Sequence, residues 1–392
     1  MECLIKRPIA HFISSKSNVR NEHRAGPFRS NQTLKKQREN LSSLFYAFIS
    51  SPPLLGNRTM PSSTVDLTSY PPLFRPPNLT HQTQATSAPS MAADPPDLLP
   101  LIDFQDLQPK QLGQACRDWG VFRLINHGVP GTLLSGLSEQ AMEMFNLSFE
   151  TKKDQFTDPI TYFWSTPALT AQSVAQSVRN VNWVEGFNVP LCQLPLLQTQ
   201  HPSSFTSFRS RLEEYGKHMG RLGRAMFEAM LEDLKLDKEN YSSYLAESTG
   251  FIRAYRYPQC SDATRVSGMD AHTDSSIMTI LSQDEVGGLQ VCRDNCWVHV
   301  KPVPSTLVVN IGDMMQAMSN EEYKSVMHRV KANQVKERFS ICYFVFPGED
   351  TVIQSSTYMP FTYKQFQAQV QRDVKATGAK VGLGRFKRDC SL

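Results

Sequence analysis

His272-Thr273-Asp274 is followed along the chain by His328-Arg329-Val330 and then by Arg338-Phe339-Ser340. Two imidazoles and one carboxylate can occupy one face of an octahedral metal and leave three positions open, an arrangement that suits non-haem Fe(II). If the last motif is a strand, Arg338 and Ser340 share one face, because side chains alternate with a period of two. A guanidinium binds a carboxylate through two parallel hydrogen bonds, and a hydroxyl can donate to the same oxygens. The three motifs predict an iron site beside a clamp for a 2-oxo acid.

The chemistry of such a site explains why these residue types are needed. O2 reacts slowly with closed-shell organic molecules, so the site needs a redox metal and a sacrificial electron donor, and a 2-oxo acid that chelates the metal can be that donor. The cofactor then supplies the difficult chemistry and the protein supplies orientation. No G-x-S-x-G or Walker-type motif occurs in the sequence, so we expect no catalytic side chain beyond the metal centre.

Several further motifs carry a resemblance to a known family. The stretch from Gly250 to Phe346 resembles the catalytic half of the plant 2-oxoglutarate- and Fe(II)-dependent dioxygenases, and the likeness extends over roughly residues 98–387. The matching pieces are Gly250–Pro258 (GFIRAYRYP), Ala271–Asp274 (AHTD), Gly287–Val291 (GGLQV), Val309–Asp313 (VNIGD) and Tyr323–Val330 (YKSVMHRV), preceded by Cys116–Val129 (CRDWGVFRLINHGV). Within the family, the nearest resemblance is to gibberellin oxidases and gibberellin oxidase-like enzymes of the 2-beta-dioxygenase and 20-oxidase types, which hydroxylate a diterpenoid acid hormone.

The resemblance implies a set of cofactors and a role for each motif residue. It implies Fe(2+), 2-oxoglutarate as co-substrate, O2, and ascorbate as reductant. The implied metal ligands are His272, Asp274 and His328. The implied 2-oxoglutarate-binding residues are Arg338, Ser340 and Tyr257.

The substrate pocket is the part in which this chain departs from the family. Tyr255 stands where relatives often have Asn, and Ala271 stands where they commonly have Pro. Neither change touches a predicted ligand, but both weaken any inference about the substrate. The residues expected to line the pocket are Tyr255, Trp183, Glu185, Phe187 and Asn310, with Gln316 as a further candidate and Arg179 or Arg256 as candidates for a substrate carboxylate. We interpret His127, His218 and His299 as structural.

The pattern of apolar segments and turn residues predicts a mainly β fold with flanking helices. Strands are predicted at 100–104, 121–125, 251–257, 277–282, 288–293, 297–301, 306–311, 325–332 and 338–346. Helices are predicted at 109–119, 130–146, 203–235 and 361–375. Short strands separated by turn residues are typical of a sandwich or barrel. Together with the metal triad and the resemblance, they indicate a double-stranded β-helix (jelly roll, cupin-like) core.

The chain divides into four predicted regions. These are a disordered or transit-peptide-like N-terminal tail (1–97), an N-terminal helical and strand region (98–235), the jelly-roll core (248–348), and a C-terminal helix and tail (349–392). Residues 1–59 are Ser-rich and carry ten Lys/Arg against three Asp/Glu. That composition is shared by organelle transit peptides. Translation could instead start at Met60 or Met91. We expect a cytoplasmic enzyme, or a plastid one if residues 1–59 are a transit peptide.

Charge, hydropathy and cysteine content bear on which partners the protein can have. Beyond residue 59 the chain carries 31 Lys/Arg against 34 Asp/Glu, so nucleic-acid binding by the folded part has no support. No run of 18 apolar residues occurs, and no membrane span is expected. Cys292 and Cys296 lack a second pair of ligands at zinc-site spacing, so we expect reduced thiols. We expect a monomer that acts on a small-molecule substrate.

Some alternatives stay open from the residues alone. The chain could be another 2-oxoglutarate-dependent hydroxylase of plant specialised metabolism. It could resemble the relatives that oxidise aminocyclopropane carboxylate with ascorbate. It could also be a jelly roll that binds a ligand without turnover, although an intact triad and clamp disfavour this. Hydroxylation is the expected reaction, but the residues do not separate it from desaturation or repeated oxidation.

Overall fold

The computed structural model describes residues 66–75, 98–165, 182–196, 206–237, 244–245, 250–261, 263 and 266–388. The helices are α1 Pro109–Asp118, α2 Gly131–Phe145, α3 Phe149–Gln155, α4 Thr206–Asp233, α5 Asp313–Met318 and α6 Tyr363–Thr377. The strands are β1 Leu101–Asp103, β2 Val121–Ile125, β3 Thr161–Trp164, β4 Glu185–Pro190, β5 Phe251–Tyr257, β6 Ser267–His272, β7 Met278–Gln283, β8 Leu289–Arg293, β9 Cys296–His299, β10 Leu307–Ile311, β11 His328–Lys331, β12 Arg338–Val345, β13 Val352–Ile353 and β14 Phe361–Thr362.

The predicted jelly-roll core is confirmed. The larger sheet has the strand order β1-β2-β10-β7-β12-β5-β4-β3, and a four-stranded sheet has the order β6-β11-β8-β9. Strand β6 was not predicted, because its sequence, Ser267-Gly-Met-Asp-Ala-His272, is poor in β-branched residues. It nevertheless pairs with β11 and completes the smaller sheet.

Helices cover one face of the larger sheet. The long helix α4 has a buried stripe at helical spacing, listed from its N-terminal end as Tyr215, Met219, Leu222, Met226 and Met230. All five side chains belong to one apolar cluster with residues of β5, β7, β10 and β12. The prediction that the Met and Leu stripe of this helix is core is therefore confirmed. The opposite face of the sheet, with Tyr255 and Tyr257, belongs to a second cluster shared with the smaller sheet.

Residues 66–75, within the tail predicted at 1–97 to be disordered or transit-peptide-like, are folded. Two short 3-10 turns, Leu67–Ser69 and Pro72–Phe74, lie in it. The ring of Phe74, 1% exposed, lies 4.4 Å from Trp183 and 5.7 Å from Trp164 between centroids. The segment lacks periodicity, and its order comes from these long-range contacts. The remainder of 1–97 before Leu98 lies outside the described residues.

No helix among the described residues is long and apolar enough to cross a membrane.

The packing of Phe74 predicts how far the chain can be shortened. A chain that begins at Met60 retains residues 66–75 and should unfold in urea with the same midpoint as the full chain. A chain that begins at Pro76 loses them, and its free energy of unfolding should fall by at least about 3 kcal/mol, the lower end for removing a buried Phe side chain. Phe74→Ala in the full chain should reproduce most of that loss. Equal stability of all three would mean that the segment contributes nothing to the fold.

Candidate active site

A cavity of about 1260 Å³ opens between the two sheets. Its walls come from β3 to β8, from β10 to β12, and from helix α6 with the segment that follows it.

A cluster of two imidazoles and one carboxylate lies in the cavity wall. His272 ends β6 and His328 begins β11, and the two are direct cross-strand partners. Their ring centroids are 4.3 Å apart. Oδ1 of Asp274 lies 3.7 Å from Nε2 of His272 and 3.8 Å from Nε2 of His328. One ligand atom from each residue thus lies within 4.8 Å of the other two, a spacing at which they can hold one metal ion.

Hydrogen bonds orient all three side chains toward a common point. Nδ1 of His272 lies 2.7 Å from the carbonyl oxygen of Asp270, and Nδ1 of His328 lies 3.1 Å from that of Val326. A proton on each Nδ1 satisfies these carbonyls and leaves each Nε2 with a lone pair for a metal. This is the usual outer-shell arrangement of a histidine ligand.

Hydrogen bonds orient the carboxylate of Asp274 as well. Its Oδ2 accepts hydrogen bonds from Thr279 Oγ1 at 2.6 Å and from Asn310 Nδ2 at 2.8 Å. The two donors come from neighbouring strands, where Asn310 and Thr279 are register partners. Oδ1 is left to face the imidazoles. Asn310 therefore lines the cavity as predicted, and it acts through Asp274.

The pKa values of two ligand groups favour the metal-binding protonation states. Burial, followed by the neighbouring His328, lowers the pKa of His272 to about 4. Burial would raise the pKa of Asp274, but His328, His272 and the two hydrogen bonds to Oδ2 outweigh it and lower that pKa to about 2. At neutral pH the imidazole of His272 is neutral and the carboxylate is charged, the states in which both bind metals.

A second part of the cavity carries the predicted clamp. Arg338 and Ser340 are each 1% exposed, and Nη1 of Arg338 donates to Ser340 Oγ at 3.0 Å. Nη2 donates to Gln283 Oε1 at 3.0 Å. Burial raises the pKa of Tyr257, so its hydroxyl stays protonated. The guanidinium carbon lies 4.8 Å from the centre of the Tyr257 ring.

The guanidinium of Arg338 is incompletely paired. Its Nε has no hydrogen-bond partner, and neither does Nε2 of the neighbouring Gln283. No carboxylate of the described part of the chain forms an ion pair with Arg338. Burying an unpaired cation is costly, so this end of the cavity is suited to an anionic ligand. The carboxylate of a 2-oxo acid fits the donors present.

A second cation in the cavity was missed by the sequence prediction. Arg253 donates from Nε to Asn188 Oδ1 at 2.9 Å, and its guanidinium carbon lies 5.0 Å from the ring centre of Phe344. It also contacts Tyr255, and it has no ion pair with any described carboxylate. Arg253, Tyr255 and Tyr257 alternate along β5 and all line the cavity. The period of two along a strand puts Arg253 on the same face as Tyr255 and Tyr257, and this is the sequence signal for it.

Arg256, proposed from sequence for a substrate carboxylate, points the other way. Its Nε donates to Glu185 Oε1 at 2.6 Å, and Lys152 Nζ donates to Glu185 Oε2 at 2.6 Å. All three side chains are fully buried on the helix-covered face. Arg179, the other candidate, lies outside the described residues.

Three residues that were predicted to line the pocket are not among those that line the cavity, namely Trp183, Glu185 and Phe187. Phe187 packs into the main core, Glu185 is in the buried ion cluster, and the indole nitrogen of Trp183 donates to the carbonyl of Pro258 at 3.0 Å. Their neighbours line the cavity instead, namely Asn182, Val184 and Asn188. The predicted region was right, but the face of β4 was off by one residue.

The remaining sequence candidates fall as follows. Tyr255 and Gln316 line the cavity. His127 is buried and its Nδ1 accepts from the amide of Val129, while His299 lies beside Gln290 on the smaller sheet. Neither these two nor His218 joins the metal cluster found among the described residues.

Comparisons with known proteins agree with this geometry. The family model described as "2OG-Fe(II) oxygenase superfamily" matches residues 248–347, and that described as "non-haem dioxygenase in morphine synthesis N-terminal" matches residues 99–205. Gibberellin 2-beta-dioxygenase 8 of Arabidopsis thaliana is 38% identical over 280 residues, covering 70% of this chain and 80% of that protein. Gibberellin 2-beta-dioxygenase 6 of Oryza sativa subsp. japonica is 35% identical over 315 residues, covering 75% and 86%.

Among solved structures, the crystal structure of JOX2 in complex with 2OG, Fe and JA superposes with a TM-score of 0.61. It is 29% identical, and the match covers 70% of this chain and 85% of that one.

The geometry of the cluster predicts the effect of removing one ligand. His272→Ala should bind Fe(II) more weakly by well over the roughly 10–100-fold that loss of an outer-shell partner costs. Bound iron can be counted anaerobically by elemental analysis after gel filtration, and far-UV circular dichroism should be unchanged. His299→Ala is the matched control, because this exposed imidazole lies on the same sheet away from the cluster. Stoichiometric iron in His272→Ala would remove His272 from the ligand set.

Proposed function

Because this chain belongs to the 2OG-Fe(II) oxygenase superfamily and is gibberellin oxidase-like in sequence, we propose that it hydroxylates a gibberellin or a gibberellin precursor. Its class is that of the oxidoreductases that use Fe(2+), 2-oxoglutarate and O2. The enzyme class follows from the family, and the identity of the acid that is hydroxylated is what we propose. The observation that carries it is a pair of arginines, neither in an ion pair with a described carboxylate, that line one cavity with the triad.

We assign the iron ligands to His272, Asp274 and His328. Two histidines and one carboxylate leave three coordination positions for co-substrate and O2. When bound, the iron would activate O2, which is the oxidant, and 2-oxoglutarate would supply two of the electrons as it is decarboxylated to succinate. The protein contributes orientation: Asp270 and Val326 fix the imidazoles, and Thr279 and Asn310 fix the carboxylate.

We assign 2-oxoglutarate anchoring to Arg338 and Ser340, with Tyr257 beside them. The guanidinium offers a planar set of donors, and Ser340 offers a hydroxyl close to it. Arg338 has no ion pair with a described carboxylate, so it can bind a dianionic co-substrate without first breaking one. The protonated Tyr257 adds a neutral donor that does not repel the anion.

We assign recognition of the primary substrate's carboxylate to Arg253. In the paired strands β5 and β12, Arg338 is opposite Tyr257 and Cys342 is opposite Arg253. The two arginines are thus separated by four residues along the strands, or about 13 Å at 3.3 Å per residue. One 2-oxoglutarate molecule at Arg338 therefore leaves Arg253 for a second acid. Apolar side chains such as Val184, Leu281 and Val308 would contact its hydrocarbon part.

The alternatives predict different products. Substrate-dependent release of succinate from 2-oxoglutarate is expected from the proposed enzyme. An enzyme resembling aminocyclopropane carboxylate oxidase would consume ascorbate and release no succinate, and a non-catalytic jelly roll would do neither. A panel of gibberellins, other carboxylic hormones and uncharged phenolics should give succinate with the acids. Turnover with uncharged phenolics alone would contradict the assignment of an acid substrate.

The clamp predicts a graded loss of co-substrate affinity. A charge-assisted hydrogen bond is worth roughly 1.5–3 kcal/mol net, and about 1.4 kcal/mol is tenfold in affinity. Arg338→Lys keeps the charge but loses the planar pair of donors, so it should raise the apparent KM for 2-oxoglutarate by on the order of ten-fold or more. Arg338→Gln should raise it further, and Ser340→Ala should raise it less. The KM for the primary substrate should change little in all three.

Arg253→Gln should change the two KM values in the opposite way from the Arg338 variants. It removes the cation expected to meet the substrate's carboxylate, so the KM for the acid substrate should rise by on the order of ten-fold. The KM for 2-oxoglutarate should stay near that of the native protein. Steady-state kinetics of both arginine variants against both substrates form a crossed test. A rise in the 2-oxoglutarate KM alone in Arg253→Gln would assign Arg253 to co-substrate binding and leave the substrate anion without a partner.

A further inference from the structure

The segment after α6 turns back over the loop that carries two of the proposed iron ligands. Helix α6 ends at Thr377, and Gly378 follows in the left-handed conformation (φ 76°), where glycine is favoured. The chain then passes through Lys380 into a short 3-10 turn, Gly382–Arg385. The turn packs closely against Asp313: a Cβ added to Gly382 would lie 3.3 Å from Oδ2 of Asp313.

Lys380 makes three close polar contacts in this turn. Its Nζ donates to the carbonyl oxygen of Thr273 at 2.7 Å and to Thr273 Oγ1 at 3.2 Å. The same Nζ lies 2.6 Å from Oδ2 of Asp313, and the two side chains are 16% and 5% exposed. Two of these contacts are hydrogen bonds to Thr273, and the third is an ion pair with Asp313.

Both partners of Lys380 are joined to the ligand loop. Thr273 lies between the proposed ligands His272 and Asp274. The amide of Asp313 donates to the carbonyl of Asp274 at 2.8 Å, and Oδ1 of Asp313 accepts from Ser325 Oγ at 2.8 Å. One ammonium thus contacts the loop directly at its middle residue and indirectly at its second ligand.

We propose that Lys380 is a positioning residue that fixes the His272–Asp274 loop in its metal-binding geometry. The proposal rests on the assignment of His272, Asp274 and His328 as the iron ligands. Lys380 is not one of the proposed iron ligands, and it acts through the carbonyl of Thr273. Since α6 also lines the cavity, Lys380 joins this wall of the cavity to the metal loop.

The positioning role of Lys380 can be separated from its ion pair with Asp313 by two variants. Lys380→Met keeps the aliphatic stem but leaves the nearly buried carboxylate of Asp313 without its cation, which destabilises a fold whatever the function of the pair. Adding Asp313→Asn removes that charge and keeps the backbone contact of residue 313 with Asp274. The double variant should therefore recover thermal stability. The donor to Thr273 is still missing, so it should not recover metal affinity.

The test is Mn(II) binding in the absence of 2-oxoglutarate and O2. Binding is measured by the loss of the electron paramagnetic resonance signal of free Mn(II). Loss of an outer-shell partner costs about 10–100-fold in metal affinity, so Lys380→Met and the double variant should each bind Mn(II) at least about ten-fold more weakly. Lys380→Arg, which keeps a charged donor, should recover part of the affinity. Lys387→Met is the matched control, because Lys387 lies on the same segment and pairs with Glu321 at 3.4 Å in a more exposed position.

Two results would overturn the proposal. Native Mn(II) affinity in the double variant would reduce Lys380 to a structural counter-ion of Asp313. Native affinity in Lys380→Met would exclude any influence on the loop. If Lys380→Met does not fold, the double variant carries the decision. Failure of the native chain to bind Mn(II) would instead overturn the proposed metal centre, so the two failures are distinguishable.

Discussion

The cross-strand contact between His272 and His328 is the constraint on which the site depends. Antiparallel pairing of β6 with β11 sets the two imidazoles opposite each other, and the loop leaving β6 then carries Asp274 to the same point. Side chains alternate with a period of two, so a slip of one residue in β11 would turn His328 to the other face. Pairing of β11 with β8, where Val330 meets Leu289 across the strands, fixes that register through the apolar cluster between the sheets.

The triad and the clamp could be predicted from sequence because each depends on short-range geometry. Arg338 and Ser340 are two residues apart on one strand, so their common face follows from strand periodicity alone. His272 and Asp274 share one turn of chain, and only the partner His328 had to be brought from elsewhere. The family resemblance supplied that pairing, and the structure placed the three residues together. Their roles as ligands remain predictions.

The walls of the cavity could not be predicted in the same way, because they depend on contacts between distant segments. Glu185 and Phe187 were assigned to the cavity but lie on the helix-covered face of β4. Phe187 and Val189 share that face by strand alternation, but the charge of Glu185 on the same face favoured the cavity, so the sequence left the choice of face open. That choice is made by Lys152 and Arg256, which surround Glu185. Residues 66–75 present the same difficulty, since their order depends on partners such as Trp183 and Glu337 far along the chain.

The buried cluster of Glu185, Lys152 and Arg256 also determines which arginine reaches the cavity. Glu185 and Arg256 are register partners in β4 and β5, and separating a buried pair costs about 3–5 kcal/mol. With Arg256 held on the helix side, strand alternation forces Arg253 to the cavity side. There Asn188 supplies a neutral acceptor in place of a carboxylate, so the charge of Arg253 is held in position without being neutralised. An internal ion pair on one face of the sheet thus keeps a cation available on the other, where the acid substrate that we propose would complete its pairing.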